Sequence, residues 1–255
     1  MGEGPVTMNA FGDMVLWLND PLNWTLPGGV LQRLGEHLYI SALAVLIGCL
    51  VAWPIGLWLG HTGRGGGAVV VIANLSRAIP TLALLTLFVA SFTGIGAEPV
   101  ILALAVFAVP PLLANAYVGL REIDPEVREA ARGMGLSGWQ VLRTVELPLA
   151  VPYLATGFRT AAVQVVATAT LAAYVAGGGL GAIIAEGIGL GLDSHGGQVL
   201  AGGILVAVLA MVVEGLLAVA ERALTPKPLR QARARRAAER PAPAEDPTVG
   251  AAGIA

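Results

Sequence analysis

Charged residues are scarce in this sequence of 255 residues. They make up 13% of the chain, whereas apolar residues make up 56%, and soluble domains carry roughly 25% charged residues. Aromatic residues are also few, at 5%, while glycine occurs 34 times. This composition suits the close packing of helices in lipid better than a soluble core. It therefore predicts an integral membrane protein.

Residues that bind metals or nucleotides are also few. The single cysteine, Cys49, lies within an apolar run, and the three histidines are dispersed along the chain, which excludes disulfide frameworks and offers no metal site. The chain has no Gly-x-x-x-x-Gly-Lys-Ser/Thr phosphate loop, and Lys227 is its only lysine. We therefore expect that this chain itself binds no cofactor, no metal and no nucleic acid.

Five segments are apolar and long enough to cross a membrane as helices. A crossing takes about 20 residues, because the hydrocarbon offers no partner for free backbone groups. The five segments are Leu38–Leu59, Ala68–Phe92, Pro99–Leu120, Val151–Ala176 and Gln198–Ala220. A further segment, Ala182–Leu192, is too short to cross and is predicted to be interfacial or re-entrant. The sequence thus predicts an all-α membrane protein of about five transmembrane helices.

Basic residues fall on one side of this five-helix topology. They are concentrated in the 119–150 loop and in the C-terminal tail, and Arg64 follows the first span, whereas the loops at 94–98 and 177–197 contain no lysine or arginine. Basic loops remain in the cytoplasm. We therefore predict a cytoplasmic C-terminus and an external N-terminus.

The cytoplasmic loop contains the signals of two short helices. Asp124 followed by Pro125 predicts a helix start, and this helix contains Glu129-Ala130-Ala131-Arg132-Gly133-Met134 and stops at Gly135. Ser137-Gly-Trp-Gln140 has the form of a capping box that starts the second helix.

The end and the surface of this loop suggest its role. Leu147-Pro148 is expected to end the second helix. The small side chains of Ala130, Ala131 and Gly133 would let another protein approach the backbone closely, which favours a docking element. An ordinary amphipathic helix at the membrane surface is the alternative.

The order of residues in this loop resembles the EAA loop of type I ATP-binding-cassette (ABC) importer permeases. In that family the loop forms the coupling helix that sits in a cleft of the cytoplasmic ATPase. The resemblance implies this ATPase-coupling role for a set of eight residues: Glu129, Ala130, Ala131, Arg132, Gly133, Gly135, Leu147 and Pro148.

Further stretches, at 36–41, 79–83, 177–181 and 221–226, resemble permeases of the glycine betaine/carnitine/choline/proline uptake systems. The resemblance implies import of an osmoprotectant across the bacterial inner membrane by alternating access, with ATP and Mg bound by separate ATPase subunits. It also implies a second permease chain and an extracytoplasmic substrate-binding protein. A type I permease for methionine, another amino acid or a metal ion is an alternative, and an intramembrane enzyme is a second one.

The chain is accordingly divided into three parts. We expect an extracytoplasmic N-terminal segment at 1–35, a transmembrane permease domain at 36–225 with its coupling loop at 121–150, and a disordered basic cytoplasmic tail at 226–255 that touches anionic lipid. Within the first part, Met8–Trp24 either lies along the outer membrane surface or is a flexible lead-in.

Polar residues within the predicted spans are the remaining candidates. Arg159 and Glu214 lie at similar depths in adjacent spans and are expected to form an ion pair, unless each extends separately to the interface. Six residues are candidates for the translocation path, or alternatively hydrogen-bond between helices: Asn74, Ser76, Asn115, Gln164, Thr168 and Thr170. No catalytic residue is expected. Asp193-Ser194-His195 is set aside because residues adjacent in a chain rarely point at one another.

Overall fold

The computed structural model describes residues 10–91 and 96–224, and every regular element within them is a helix. The predicted basic tail at 226–255 and residues 1–9 lie outside the described residues. In chain order the elements are α1 Ala10–Asn19, α2 Pro21–Thr25, α3 Val30–Thr62, α4 Gly66–Ala78, α5 Thr81–Ser91, α6 Ala97–Arg121, α7 Pro125–Gly133, α8 Gly138–Val141, a π-helical turn Leu142–Glu146, α9 Leu147–Thr168, a 3-10 segment Ala169–Val175, α10 Gly181–Leu190 and α11 Leu192–Leu224.

Four of the five predicted spans are confirmed as long apolar helices. The stretches long and apolar enough to cross a membrane are Pro21–Thr62, Ala97–Arg121, Gly138–Val175 and Leu192–Ala223. Helix α3 begins at Val30, eight residues before the predicted start, and its 33 residues extend about 50 Å at 1.5 Å per residue. It is therefore longer than the hydrocarbon core of a bilayer, which is about 30 Å thick.

The prediction of one helix at Ala68–Phe92 is wrong, because the structure breaks this segment at Pro80. Helix α4 ends at Ala78, Ile79 is extended with φ −80° and ψ 119°, and α5 begins at Thr81. Proline has no backbone N–H and its ring disfavours the helical conformation for the residue before it. The second span is therefore two short helices in series.

The N-terminal helices pack against the long helices. Trp17 and Trp24 lie against a small buried cluster formed by Val30, Leu180 and Ile183. Helix α1 also contacts α11 closely, since a Cβ at Gly197 would lie 2.6 Å from the carbonyl carbon of Asp13. Residues 10–35 are thus part of the packed helical body, and the predicted boundary at residue 35 falls within α3.

The central contact of the fold is between α3 and α6, which meet along small residues spaced by multiples of four. A Cβ added at Gly48 would lie 2.9 Å from the Cβ of Ala108, and one at Gly56 would lie 2.7 Å from the Cβ of Ala116. Small residues allow two backbones to approach closely, which is the main source of helix association in lipid. Helix α9 packs on the other side of α6, where Gly157 faces Asn115.

We predict that Gly56→Ala destabilises the protein, because the added methyl would also lie 2.9 Å from the Leu113 carbonyl oxygen. Overpacking of this kind lowers the free energy of unfolding by about 1–3 kcal/mol, which thermal unfolding in detergent measures as a lower Tm. Gly35→Ala, in the same helix, is the matched control, since a Cβ at Gly35 meets nothing within 4 Å. Alanine is more favourable than glycine in a helix by up to about 1 kcal/mol, so this variant should not lower the Tm. An equal Tm for the two variants would contradict the close α3–α6 contact.

Candidate functional site

The predicted two-helix arrangement of the loop between α6 and α9 is confirmed. The side chain of Asp124 accepts a hydrogen bond from the Glu126 N–H at 3.0 Å, and Pro125 occupies the first turn of α7. Gly135 has φ +84° just beyond the end of α7, a conformation that glycine adopts at little cost. Ser137 then forms the predicted capping box at the start of α8.

The prediction that Leu147-Pro148 ends the second helix is wrong. Helix α8 continues through the π-helical turn Leu142–Glu146 directly into α9, and the Leu147 N–H donates to the Leu142 carbonyl, five residues back. Pro148 is the second residue of α9, directly after the π-helical turn, and the helix continues through it. The second coupling helix is therefore rigidly continuous with a membrane span.

The surface of this loop also differs from the prediction. Ala131 is 2% exposed and packs inward, so it is not part of a docking surface. Ala130 and Gly133 are exposed, and a Cβ at Gly133 would meet nothing within 4 Å. The exposed residues of α7 are thus available for a partner, while Ala131 anchors the helix to its own chain.

Large apolar side chains on this surface escaped the sequence analysis. Met134 is 75% exposed and Trp139 is 68% exposed, and Val127 is exposed as well. Val127 and Ala130 lie three residues apart in α7, and Met134 is the residue directly after that helix. We call Val127, Ala130, Met134 and Trp139 the apolar ridge. The signal was present in the sequence as large apolar residues in a loop that is otherwise charged.

Glu146 occupies the centre of the loop and was also missed. Its side chain is fully buried, at 0% exposure. Oε2 lies 2.6 Å from Nδ1 of His61, where the ring N–H donates to the carboxylate. Oε1 lies 2.9 Å from Nε of Arg128, an ion pair without the alignment of a hydrogen bond. Arg128 also donates a hydrogen bond to the carbonyl of Leu120 at the end of α6.

The structure brings Arg159 and Glu214 together. Nη1 of Arg159 lies 3.3 Å from Oε1 of Glu214. It adds a second acid, Glu221, whose Oε2 lies 3.2 Å from Nε of Arg159 and whose Oε1 accepts a hydrogen bond from Thr156. The cluster therefore joins α9 to α11 through one arginine and two carboxylates.

The candidate path residues lie on separate elements. Asn115 donates to the Pro111 carbonyl of its own helix at 2.8 Å, whereas Asn74 is exposed on α4. Gln164 and Thr168, on α9, are half-buried. The hydroxyl of Thr170 is buried without a partner in the 3-10 segment. The side chain of Ser76 lies outside the described part of the chain.

At the opposite end of α3, two residues hold the Gly177–Gly181 turn. Glu36 accepts a hydrogen bond from the Gly179 N–H at 3.0 Å. The buried His37 accepts one from the Leu180 N–H at 3.3 Å and lies 2.8 Å from the Val166 carbonyl through its other ring nitrogen. Arg33, Glu36 and Tyr39 line a cavity of about 380 Å³ beside this turn. The turn is thus fastened to α3.

The expectation that adjacent residues do not meet is wrong for Ser194 and His195. Oγ of Ser194 lies 2.9 Å from Nδ1 of His195. The reason is the backbone of His195, which is non-helical with φ −123° and ψ 18° and turns the ring back towards its neighbour. The pair lies at the surface, at the start of α11.

The sequence matches the family described as "Binding-protein-dependent transport system inner membrane component" over residues 44–226. It is 39% identical over 202 residues to the glycine betaine/carnitine/choline transport system permease protein OpuCB of Bacillus subtilis, covering 79% of this chain and 91% of that one. It is 34% identical to the osmoprotectant import permease protein OsmW of Salmonella typhimurium, covering 76% and 91% of the two chains.

Solved structures share the fold. An inward-facing structure of the MetNI methionine ABC transporter matches with a TM-score of 0.69 at 25% identity, over 77% of this chain and 96% of that one. An amino acid ABC transporter crystallised with histidines matches with a TM-score of 0.63 at 19% identity, over 87% and 99% of the two chains.

We predict that the cap at Asp124 holds the start of α7. Asp124→Ala removes the acceptor of the Glu126 N–H and costs about 1 kcal/mol, so amide exchange in the first turn of α7 becomes about fivefold faster. Hydrogen–deuterium exchange measures this rate. Asp124→Asn is the control, because asparagine caps about as well as aspartate. Equal exchange rates in both variants and the unaltered protein would show that the cap contributes nothing.

Proposed function

We infer the function of this chain from its family: the chain belongs to the binding-protein-dependent transport system inner membrane components. It is a multi-pass permease subunit of an ABC importer, with the all-helical type I permease fold. The observation that carries the mechanism is the rigid two-helix loop, which presents an apolar ridge beyond the ends of the long helices.

As cargo we propose a small osmoprotectant: glycine betaine, choline, carnitine or proline. Support comes from the relatives, whose names specify glycine betaine, carnitine and choline. Recognition of quaternary ammonium groups uses aromatic cages, and this chain is poor in aromatic residues. Selection of the solute is therefore assigned to the extracytoplasmic substrate-binding protein, and the permease supplies the passage.

The partner at the loop is an ABC ATPase subunit, which binds the ATP and Mg. Met134 and Trp139 are large, apolar and exposed, and such side chains at the centre of an interface contribute most of its binding energy. Glu129 and Arg132 are exposed beside them and set the orientation of the partner. Of the eight coupling residues expected from the sequence, Ala131 acts by holding α7 to the rest of the chain, because it is buried.

The working assembly contains two permease chains, identical or related, and two ATPase subunits. ATP binding draws the ATPase subunits together, the coupling loops follow, and the passage opens to the binding protein. Hydrolysis then returns the passage to the cytoplasmic side. In this arrangement the N-terminus lies outside the cell, and the loop and the C-terminus lie in the cytoplasm, as the distribution of basic residues indicates.

The cargo is tested by uptake into proteoliposomes that contain the permease, its ATPase and its binding protein. We expect ATP-dependent accumulation of labelled glycine betaine, choline, carnitine or proline, and none of methionine. Accumulation of methionine without any of these four solutes would contradict the proposed cargo and leave the importer architecture intact.

Docking is tested by Gly133→Leu. Because a Cβ at Gly133 meets nothing within 4 Å of this chain, the side chain should not disturb folding, but it would project into the ATPase. Overpacking of about 1–3 kcal/mol weakens ATPase binding by about 5- to 150-fold, measured by co-purification at several protein concentrations. Gly35→Leu, also in open space but at the far end of α3, is the control. Unchanged binding by Gly133→Leu would contradict the assigned docking face.

A further inference from the structure

We propose that Glu146 is a positioning residue that locks the coupling helix α7 to the membrane helices α3, α6 and α9. A movement of α7 then reaches all three helices at once. This inference rests on the proposed function, because it takes the ATPase to be the source of the movement. We call Glu146, Arg128 and His61 the carboxylate hub.

The first observation is the place of Glu146 in the chain. It is the last residue of the π-helical turn and immediately precedes α9. Single π-helical turns are rare and are frequently found at functional sites. Because α8, this turn and α9 form one continuous helix, the carboxylate is rigidly connected both to Trp139 in the apolar ridge and to the span behind it.

The second observation is that the Glu146 carboxylate is buried and still has a partner at each of its two oxygens. The Glu146 side chain is 0% exposed, and its two oxygens face different elements: His61 at the end of α3 and Arg128 in α7. A buried charge that loses its partner is strongly unfavourable. The three residues therefore move together rather than separating when the loop is pushed.

The third observation extends the hub to α6. Arg128 donates to the carbonyl of Leu120 near the end of α6, which also accepts a hydrogen bond from the Ile123 N–H at 3.3 Å. Leu120 also belongs to a small buried cluster with Ile123 and Ala150, against which Leu57 and Leu142 pack. The polar contacts and the apolar cluster thus share Leu120, and neither part can shift alone.

The fourth observation is the length of α3. Near one end of α3, His61 contacts Glu146. Near the other end, Glu36 and His37 accept hydrogen bonds from the N–H groups of Gly179 and Leu180. Helix α3 is continuous between these two ends over 33 residues, with Pro54 inside it. The hub therefore connects the docking loop with the predicted outer turn.

The decisive variant is Glu146→Gln, which keeps the shape of the side chain and removes its charge. In the reconstituted importer we expect normal assembly with the ATPase, continued ATP hydrolysis, and about tenfold less solute imported per ATP, within the range of about 5–150-fold typical of coupling between sites. The double variant Glu146→Gln/Arg128→Gln, which leaves neither charge of this ion pair unpaired, should show the same loss and be no worse than Glu146→Gln alone. Glu122→Gln, an exposed acid in the same region, is the control.

Two transport and assembly results in the Glu146→Gln variant would overturn the inference. One is an unchanged ratio of solute to ATP in an assembled Glu146→Gln complex, since the charge would then not be needed for transmission. The other is loss of ATPase binding in the Glu146→Gln variant, because Glu146 would then serve docking or folding. Recovery of the ratio in Glu146→Asp, which keeps the charge, supports the electrostatic role, and absence of recovery despite normal assembly contradicts it.

A second readout does not depend on the cargo. Ala176→Cys places a thiol at an exposed position beside the Gly177–Gly181 turn, and the native Cys49 is buried. In the detergent-solubilised complex, ATP with vanadate should change the rate of maleimide labelling at this cysteine, and Glu146→Gln should abolish that change. A change that persists in Glu146→Gln would refute the hub. Failure of betaine uptake together with an intact labelling response would refute only the cargo.

Discussion

Helices α3 and α6 pack so closely that glycine and alanine side chains leave no room for one more methyl group between them. Lipid gives helices little hydrophobic reason to associate, so close backbone contact has to supply the attraction. This contact sets the relative position of the two helix ends below the loop, at His61 and Leu120. The geometry of the coupling region therefore depends on contacts between α3 and α6 along the membrane helices.

The loop itself combines a rigid attachment with an exposed surface. Its inner side is fixed by Ala131 and Glu146, both of which are buried, while its outer side presents Met134 and Trp139. A docking element that was flexible at its base would absorb the movement of its partner instead of passing it on. The continuous helix from α8 into α9 and the buried charges meet that requirement.

Much of this could be predicted from the sequence, because the signals are local. The long apolar runs predicted the four long helices, and the capping residue Asp124 predicted the start of α7. The errors came where a local signal has two outcomes: Pro80 separates two helices, whereas the helix continues through Pro148 after the π-helical turn. The contacts of Glu146 could not be predicted, since His61 is 85 residues away in the chain. Only the packing of α3 against α6 and α9 brings them together.

The central claim is that a nucleotide-hydrolysing partner binds the apolar ridge of the loop. The most direct measurement is cross-linking in the assembled importer, with a photoreactive thiol reagent attached to a cysteine at Met134 and, in a separate sample, to one at Ser194. We expect an adduct between the permease and the ATPase subunit from Met134→Cys and none from Ser194→Cys. An ATPase adduct from Ser194→Cys alone would contradict the claim, because it would place the partner at the opposite end of the molecule.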